Sequence, residues 1–207
     1  MSVFGLTGGI GAGKSTVASL FQEAGIPVVF ADDVGREVVS KGSEGLSAIV
    51  ELFGPDVIDD TGNLDRRKLG GIVFNDPAER TRLESILHPL VQDHSRELFA
   101  QLKDAGNQII IYESALLFET NRHTEMHGVI LVSASEETRI ARVQERDSSN
   151  AEDVRRRIQA QMADDDKRKL CEYLIENDGD IERLSAQVAS LISQLVQKSK
   201  DSLVLEG

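Results

Sequence analysis

The sequence predicts an α/β fold: a parallel β-sheet core flanked by helices, with a helical insertion and a second, Arg-rich helical segment. Three observations carry this. Short apolar runs at 3–6, 26–30, 109–112 and 129–132 read as buried strands, because they are continuous and do not alternate. The first two are separated by one helix of chain, the strand–helix–strand spacing of a parallel sheet. Between 34 and 105 no good strand pattern occurs, and the periodicity is mainly helical.

Taken in order, the first run ends at Gly8-Gly9. Val17, Leu20, Phe21 and Ala24 then fall at i, i+3, i+4 and i+7, one face of a helix, and Gly25 is placed to end it. The second run closes on Asp32-Asp33. In the insertion, Gly54-Pro55 and Asp60-Thr61-Gly62-Asn63 read as turns. The β-branched run at 109–112 is a central strand. Residues 136–169 are very polar, and Tyr173-Leu174-Ile175 forms a last short strand. Ile181, Leu184, Val188, Leu191, Ile192 and Leu195 keep a helical period and predict a closing helix packed on the sheet, with a partner-binding coiled coil as the alternative. The expected division is a core of 1–32, 105–135 and 170–198, a helical lobe of 33–104, an Arg-rich segment of 136–169 and a loose tail of 199–207.

With 207 residues and 40% hydrophobic content, the chain can build one sizeable core. A net charge of −12 argues against nucleic-acid and anionic-membrane binding, which use a basic footprint, but leaves room for a small polyanion in a local basic pocket. Cys171 is the single cysteine, so no intrachain disulfide forms, as suits a reducing cytosol. It is expected as a small buried core residue. The start lacks a basic region before its apolar stretch and is not read as a signal peptide. No apolar run approaches the ~20 residues that span a membrane. The expectation is a cytoplasmic protein.

Gly8-Gly9-Ile10-Gly11-Ala12-Gly13-Lys14-Ser15 fits G-x-x-x-x-G-K-[ST], the phosphate loop, without mismatch. A chance match in a chain of this length has a probability of roughly one percent, given ordinary residue usage. The match also follows a predicted strand and opens a predicted helix. Glycines let backbone N–H groups converge on phosphate oxygens, and the helix adds its positive end. Lys14 reaches the β- and γ-phosphates, and the Ser15 hydroxyl ligates Mg²⁺. No lysine follows Asn or Thr, so the guanine reader of a GTP switch is missing. The length suits a small kinase that moves a phosphoryl group from ATP to a small-molecule hydroxyl.

Such a kinase must exclude water, usually with a mobile lid. Residues 136–169 hold Arg139, Arg142, Arg146, Arg155, Arg156, Arg157 and Arg168. The first three share a helix face and suit a phosphate clamp; alternatively they form surface ion pairs with Glu136, Glu137 and Glu145. Asp32 and Asp33 follow the second strand, at the sheet end where ligands bind. One of them takes a proton from the acceptor or helps hold Mg²⁺, or else caps the next helix.

From residue 3 to 196 the chain resembles the dephospho-coenzyme A kinase family. The opening run from Gly5 to Thr16 is similar to the family's loop, with Ala12 where Ser is usual. Ala31-Asp32 with Arg36, Gly62-Asn63-Leu64-Asp65-Arg66, Val73-Phe74, Leu83-Glu84-Ser85-Ile86-Leu87-His88-Pro89 and Leu116-Leu117-Phe118-Glu119 follow in order. Arg142 with Arg146-Asp147, then Arg157-Ile158 with Gln161, resembles the lid, and Ile175-Glu176-Asn177-Asp178-Gly179 the loop beside the adenine. Two departures are Phe30, where the family often has Asp, and Ala115, where many members have Pro. The resemblance implies a P-loop kinase with a helical substrate-binding insertion and a helical lid. ATP, with Mg²⁺, would phosphorylate the ribose 3′-hydroxyl of dephospho-coenzyme A and give coenzyme A and ADP. Gly11, Ala12, Gly13, Lys14, Ser15, Thr16 and Asn177 would bind ATP, with Ser15 on the metal. Asp32, Lys14 and Arg142 would be catalytic. Asp32, Arg36 and His88 would contact the acceptor, although His88 also suits a structural role at a helix starting with Pro89. Glu113 would assist Mg²⁺ through water. Two alternatives are another P-loop small-molecule kinase, for a nucleoside monophosphate or a sugar acid, and a non-enzymatic nucleotide-dependent regulator; the Arg-rich lid argues against the latter.

Overall fold

The computed structural model describes residues 1–205. Among them, five strands form one parallel sheet in the order β2-β3-β1-β4-β5, with β1 Ser2–Thr7, β2 Val28–Phe30, β3 Ile109–Glu113, β4 Val129–Ser133 and β5 Tyr173–Glu176. Strand β1 lies between β3 and β4 and pairs in parallel with both: Leu6 faces Glu113 on one side and Ile130 on the other. The chain therefore leaves β1 towards one edge and later returns to its opposite side, which puts a topological switch point at the carboxyl end of β1.

The chain divides into two units, Met1–Val29 with everything from Leu102 onward, and Phe30–Gln101. The first holds the sheet. All six residues of β1 are buried, as a strand with neighbours on both sides and helices on both faces requires. Helix α1, Lys14–Glu23, buries Val17, Ala18 and Phe21. Gly25 donates to the Gln22 carbonyl and Ile26 to the Phe21 carbonyl, so α1 closes where the sequence places its end. Strand β2 begins two residues later than the apolar run, because the Ile26 N–H is spent on that closure and Pro27 has none. The Pro27 carbonyl still accepts from Ile111 at 2.9 Å.

The closing helix α9, Ile181–Leu205, buries Leu184, Val188, Leu191 and Leu195. Burial of each such side chain stabilises by roughly 1.5–3 kcal/mol, which settles the stripe's role as core packing. The helix also runs through the stretch expected as a loose tail. Ser199 explains this: it is 5% exposed, and its hydroxyl donates to the Gln108 carbonyl at 3.4 Å. Residues 206 and 207 of that stretch lie outside the described residues. At the sheet edge, the Gln187 amide of α9 donates to the Glu176 carbonyl (2.9 Å) and accepts from the Glu176 N–H (3.2 Å). Cys171 is half-buried and not in the core, with its thiol on the Arg168 carbonyl. No helix among the described residues is long and apolar enough to cross a membrane.

The second unit is helical: α2 Ala31–Glu37, α3 Glu44–Phe53, α4 Arg66–Asn75 and α5 Pro77–Asp104, of which α5 ends in the first unit. Its core is Val39, Ile49, Val57 and Leu69, with Leu83 and Leu87 against them. Ser43 caps α3 by accepting from the Leu46 N–H, and Asp65 caps α4 by accepting from Arg67 and Lys68. The predicted turn forms around Asp59, whose carboxylate accepts from the backbone of Thr61 and Asn63.

His94 of α5 joins this lobe's helices, with Nε2 2.8 Å from Glu37 and Nδ1 3.2 Å from Glu97. The hydrogen bond to Glu37, then that to Glu97, raises the imidazole above its ordinary value. A raised folded-state value means the staple stabilises fully below the unfolded imidazole range and fades as pH rises through the folded value. His94→Gln is expected to lower urea stability at pH 5.5 by at most about 1 kcal/mol, as for solvent-accessible pairs, with little effect at pH 8.5. A deficit that is equal at both pH values counts against the ionic staple.

Candidate active site

The phosphate loop leaves the carboxyl end of β1 and turns at Gly9, whose carbonyl accepts from the Ala12 N–H at 3.1 Å. Gly13 is the N-cap of α1, in the left-handed region at φ 94°. A Cβ there would run into the Asn177 amide, so glycine is required by the protein wall as well as by any phosphate. No side chain caps α1 and its first turn holds no acid, which leaves a helix start suited to an anion. Lys14 donates to the Gly8 carbonyl at 3.0 Å and lies 4.0 Å from Glu113, the last residue of β3. The Ser15 and Thr16 side chains are exposed at the mouth of the loop. Asn177 is 5% exposed and donates to the Ala12 carbonyl at 2.8 Å. It therefore supports the loop from behind.

Three helices make up the Arg-rich segment: α6 Glu136–Asp147, α7 Ala151–Gln159 and α8 Asp164–Leu170. The predicted arginine face of α6 separates into three roles. Arg139 is 5% exposed, donates from Nε to the Ile10 carbonyl at 2.9 Å and pairs with Asp164 at 3.1 Å. Arg142 brings Nη1 close to Gly13, 3.7 Å from where a Cβ would sit, and that nitrogen is buried without a hydrogen-bond partner among the described residues. A buried guanidinium nitrogen is costly to leave unpaired, so an anion at the loop would stabilise it. Arg146 instead binds Asp147 through two nitrogens, at 2.7 and 3.0 Å, and Arg157 joins them at 2.9 Å. Those hydrogen bonds, that of Arg146 first, hold the Asp147 carboxyl far below the usual carboxylate range. The alternative pairing of these three arginines with Glu136, Glu137 and Glu145 does not form among the described residues: Arg139 pairs with Asp164 and Arg146 with Asp147, while Glu136 pairs with Arg155.

The segment is anchored at Glu119, which accepts from the Met162 N–H at 3.0 Å and pairs with the fully buried Lys167 at 3.2 Å. Burial pushes the Glu119 carboxyl up, but backbone hydrogen bonds and the Lys167 charge outweigh it and hold it below its ordinary value.

The dephospho-CoA kinase family model matches residues 2–183. The chain belongs to that family. A dephospho-CoA kinase of Listeria monocytogenes serotype 4b is 38% identical over 193 residues, 93% of this chain and 96% of the relative. One from Oryza sativa subsp. japonica is 43% identical over 182 residues, 88% and 79% of the two chains. A Thermus thermophilus crystal structure superposes with a TM-score of 0.80 at 34% identity, covering 94% of this chain and 97% of that one. The fold is that of the P-loop kinases.

The residues that the dephospho-CoA kinase resemblance assigns to the acceptor, Asp32, Arg36 and His88, belong to the unit of residues 30–101. Asp32 and Asp33 sit in the first turn of α2, whose N-cap is Phe30 and carries no side-chain cap, so neither carboxylate caps the helix. Arg36 pairs with Asp33 at 2.5 Å. Asp32 has no such partner among the described residues. His88 is exposed within α5, which continues through Pro89, so it caps no helix start there. The sequence places Arg139 on a face suited to clamp phosphate and Gln161 in the lid motif, but not their contacts with the phosphate loop: both bind the Ile10 backbone.

Proposed function

We propose that the chain transfers the γ-phosphoryl group of ATP to the ribose 3′-hydroxyl of dephospho-CoA, giving coenzyme A and ADP. The observation that carries this is a phosphate loop, at the switch point of a parallel sheet, within a chain of the dephospho-CoA kinase family. The backbone of Gly11, Ala12 and Gly13 and the start of α1 hold the ATP phosphates, with Thr16 beside them. Lys14 and Arg142 stabilise charge on the transferring group. Asp32 accepts the proton of the attacking hydroxyl or orients it, and Arg36 and His88 contact the acceptor.

Mg²⁺ suits the donors present. Ser15 offers a hard oxygen at the loop mouth, and Glu113 stands next to Lys14. No group of three or more His, Cys, Asp or Glu capable of holding a metal occurs among the described residues. That fits an ion carried mainly by phosphate oxygens and water, with one or two protein contacts. Ser15 would hold such an ion, with Glu113 through water, and the ion would supply neutralisation of the charge on the transferring phosphoryl group. We place the reaction in the cytoplasm, in keeping with a single unpaired cysteine.

The test is ATP turnover with dephospho-CoA against a panel containing nucleoside monophosphates, shikimate and gluconate. Dephospho-CoA is expected to be the preferred acceptor by a wide margin, and preference for any other member of the panel overturns the proposal. The lid role has its own measurement. Hydrogen exchange across 136–169 is expected to slow when an ATP analogue and dephospho-CoA are both bound, as closure shuts out water. Equal protection with and without the two ligands would remove the lid from the account.

A further inference from the structure

Ile10 lies at the centre of the phosphate loop and is held on three sides by the Arg-rich segment. Its N–H donates to the Gln161 side-chain oxygen at 2.8 Å. Its carbonyl accepts from Arg139 Nε at 2.9 Å. Its side chain packs against the cluster of Ile140, Val143 and Val154. Arg139, Ile140 and Val143 belong to α6, Val154 to α7, and Gln161 to the turn before α8, so all three parts of the segment take part.

The holders are themselves fixed. Arg139 donates to Asp164, which accepts from the Ser133 hydroxyl at 3.1 Å, and Ser133 in turn accepts from Arg168 at 3.0 Å. Ser133 is the last residue of β4, so the network is tied to the sheet. A Cβ on Gly9 would overlap the Arg139 guanidinium, so the loop's second glycine is shaped to this side chain. Gln161 is placed by its neighbour Met162, whose N–H is on Glu119.

An amide hydrogen bond here has a specific consequence. The Ile10 N–H points at Gln161, and the peptide plane is thereby fixed just before the glycines whose N–H groups face phosphate. We infer that Gln161 is a positioning residue of the nucleotide site, acting through the Ile10 peptide and making the affinity for nucleotide phosphates depend on the seating of the Arg-rich segment. This rests on the nucleotide reading of the loop and is independent of the acceptor's identity.

The test uses Gln161 because it is half-buried and its truncation spares the core; Arg139 truncation would strand Asp164 and the Ile10 carbonyl. In the full chain, Gln161→Met and Gln161→Ala are expected to weaken ADP binding about threefold to tenfold by calorimetry, the range of one net hydrogen bond. Amide exchange at Ile10, followed by NMR, should accelerate by at least as much, while the amides of β4 stay as slow as in the parent. Gln161→Glu keeps the accepting oxygen and should restore slow exchange at Ile10. Parent-like exchange at Ile10 in the truncations, parent-like ADP affinity, or fast exchange in Gln161→Glu overturns the inference. A parent that binds ADP but ignores dephospho-CoA overturns only the proposed acceptor, and a parent that binds no ADP overturns both.

Discussion

Lys14→Ala is expected to reduce turnover by about 10²–10³-fold or more, the usual effect of removing a preorganised charge from a transition state. The ammonium is held by the Gly8 carbonyl and by Glu113, and its side chain is largely buried. It is thus placed before reaction and spends little energy on reorganisation. The fold should survive. The ground state loses, among other contacts, one hydrogen bond worth roughly 0.5–1.5 kcal/mol and one long ion pair, whereas a 10²–10³-fold rate loss corresponds to roughly 3–4 kcal/mol. The comparison to make is kcat beside melting temperature. Near-normal turnover by a folded Lys14→Ala protein would remove Lys14 from the catalytic assignment.

Asp32→Asn is expected to lower kcat by ~10²–10⁴-fold, the range of a positioned general base, with little change in KM for ATP. A ribose hydroxyl is a poor nucleophile while it keeps its proton, and a carboxylate near it accepts that proton as attack proceeds. The two candidate acids are now distinguishable. Asp33 is committed to Arg36 at 2.5 Å, while Asp32 has no partner among the described residues. Neither is an N-cap, so the stability change in Asp32→Asn should be limited to the first-turn dipole effect, about 0.3–1 kcal/mol. Asp33→Asn, which breaks an exposed ion pair, should keep kcat near that of the parent. A crippled Asp33→Asn beside an active Asp32→Asn would show the wrong carboxylate has been chosen. If both variants turn over normally, positioning and electrostatics carry the reaction without a protein base, as a loose transition state permits.

Most of the sheet was legible because its strands are short, continuous apolar runs, of which 109–112 is β-branched. The phosphate loop was legible because its chemistry is contiguous in sequence. Arg139 was not, since its partners lie 129 and 25 residues away, at Ile10 and Asp164. A residue whose work is done at such distances gives no local pattern. The end of α9 was hidden for another reason: Gln197-Lys198-Ser199 reads as polar, yet Ser199 is buried by hydrogen bonding and not by apolarity. Pro89 misled in the same direction. A proline suggests a helix boundary, but α5 continues on both sides, and a helix of 28 residues can absorb one missing bond. Spacing alone left Asp32 and Asp33 open and the family resemblance favoured Asp32; the structure adds that Asp33 is engaged by Arg36.

Strand β5 ends the sheet, and an outermost strand ordinarily offers its backbone to any neighbouring chain. Here the Gln187 amide meets both the N–H and the carbonyl of Glu176, with the donor and acceptor spacing of a peptide group. The side chain imitates one residue of a sixth strand. A helix thus supplies at that point what another molecule would otherwise add, and the backbone of Glu176 at the border of the sheet is taken up by the protein's own amide.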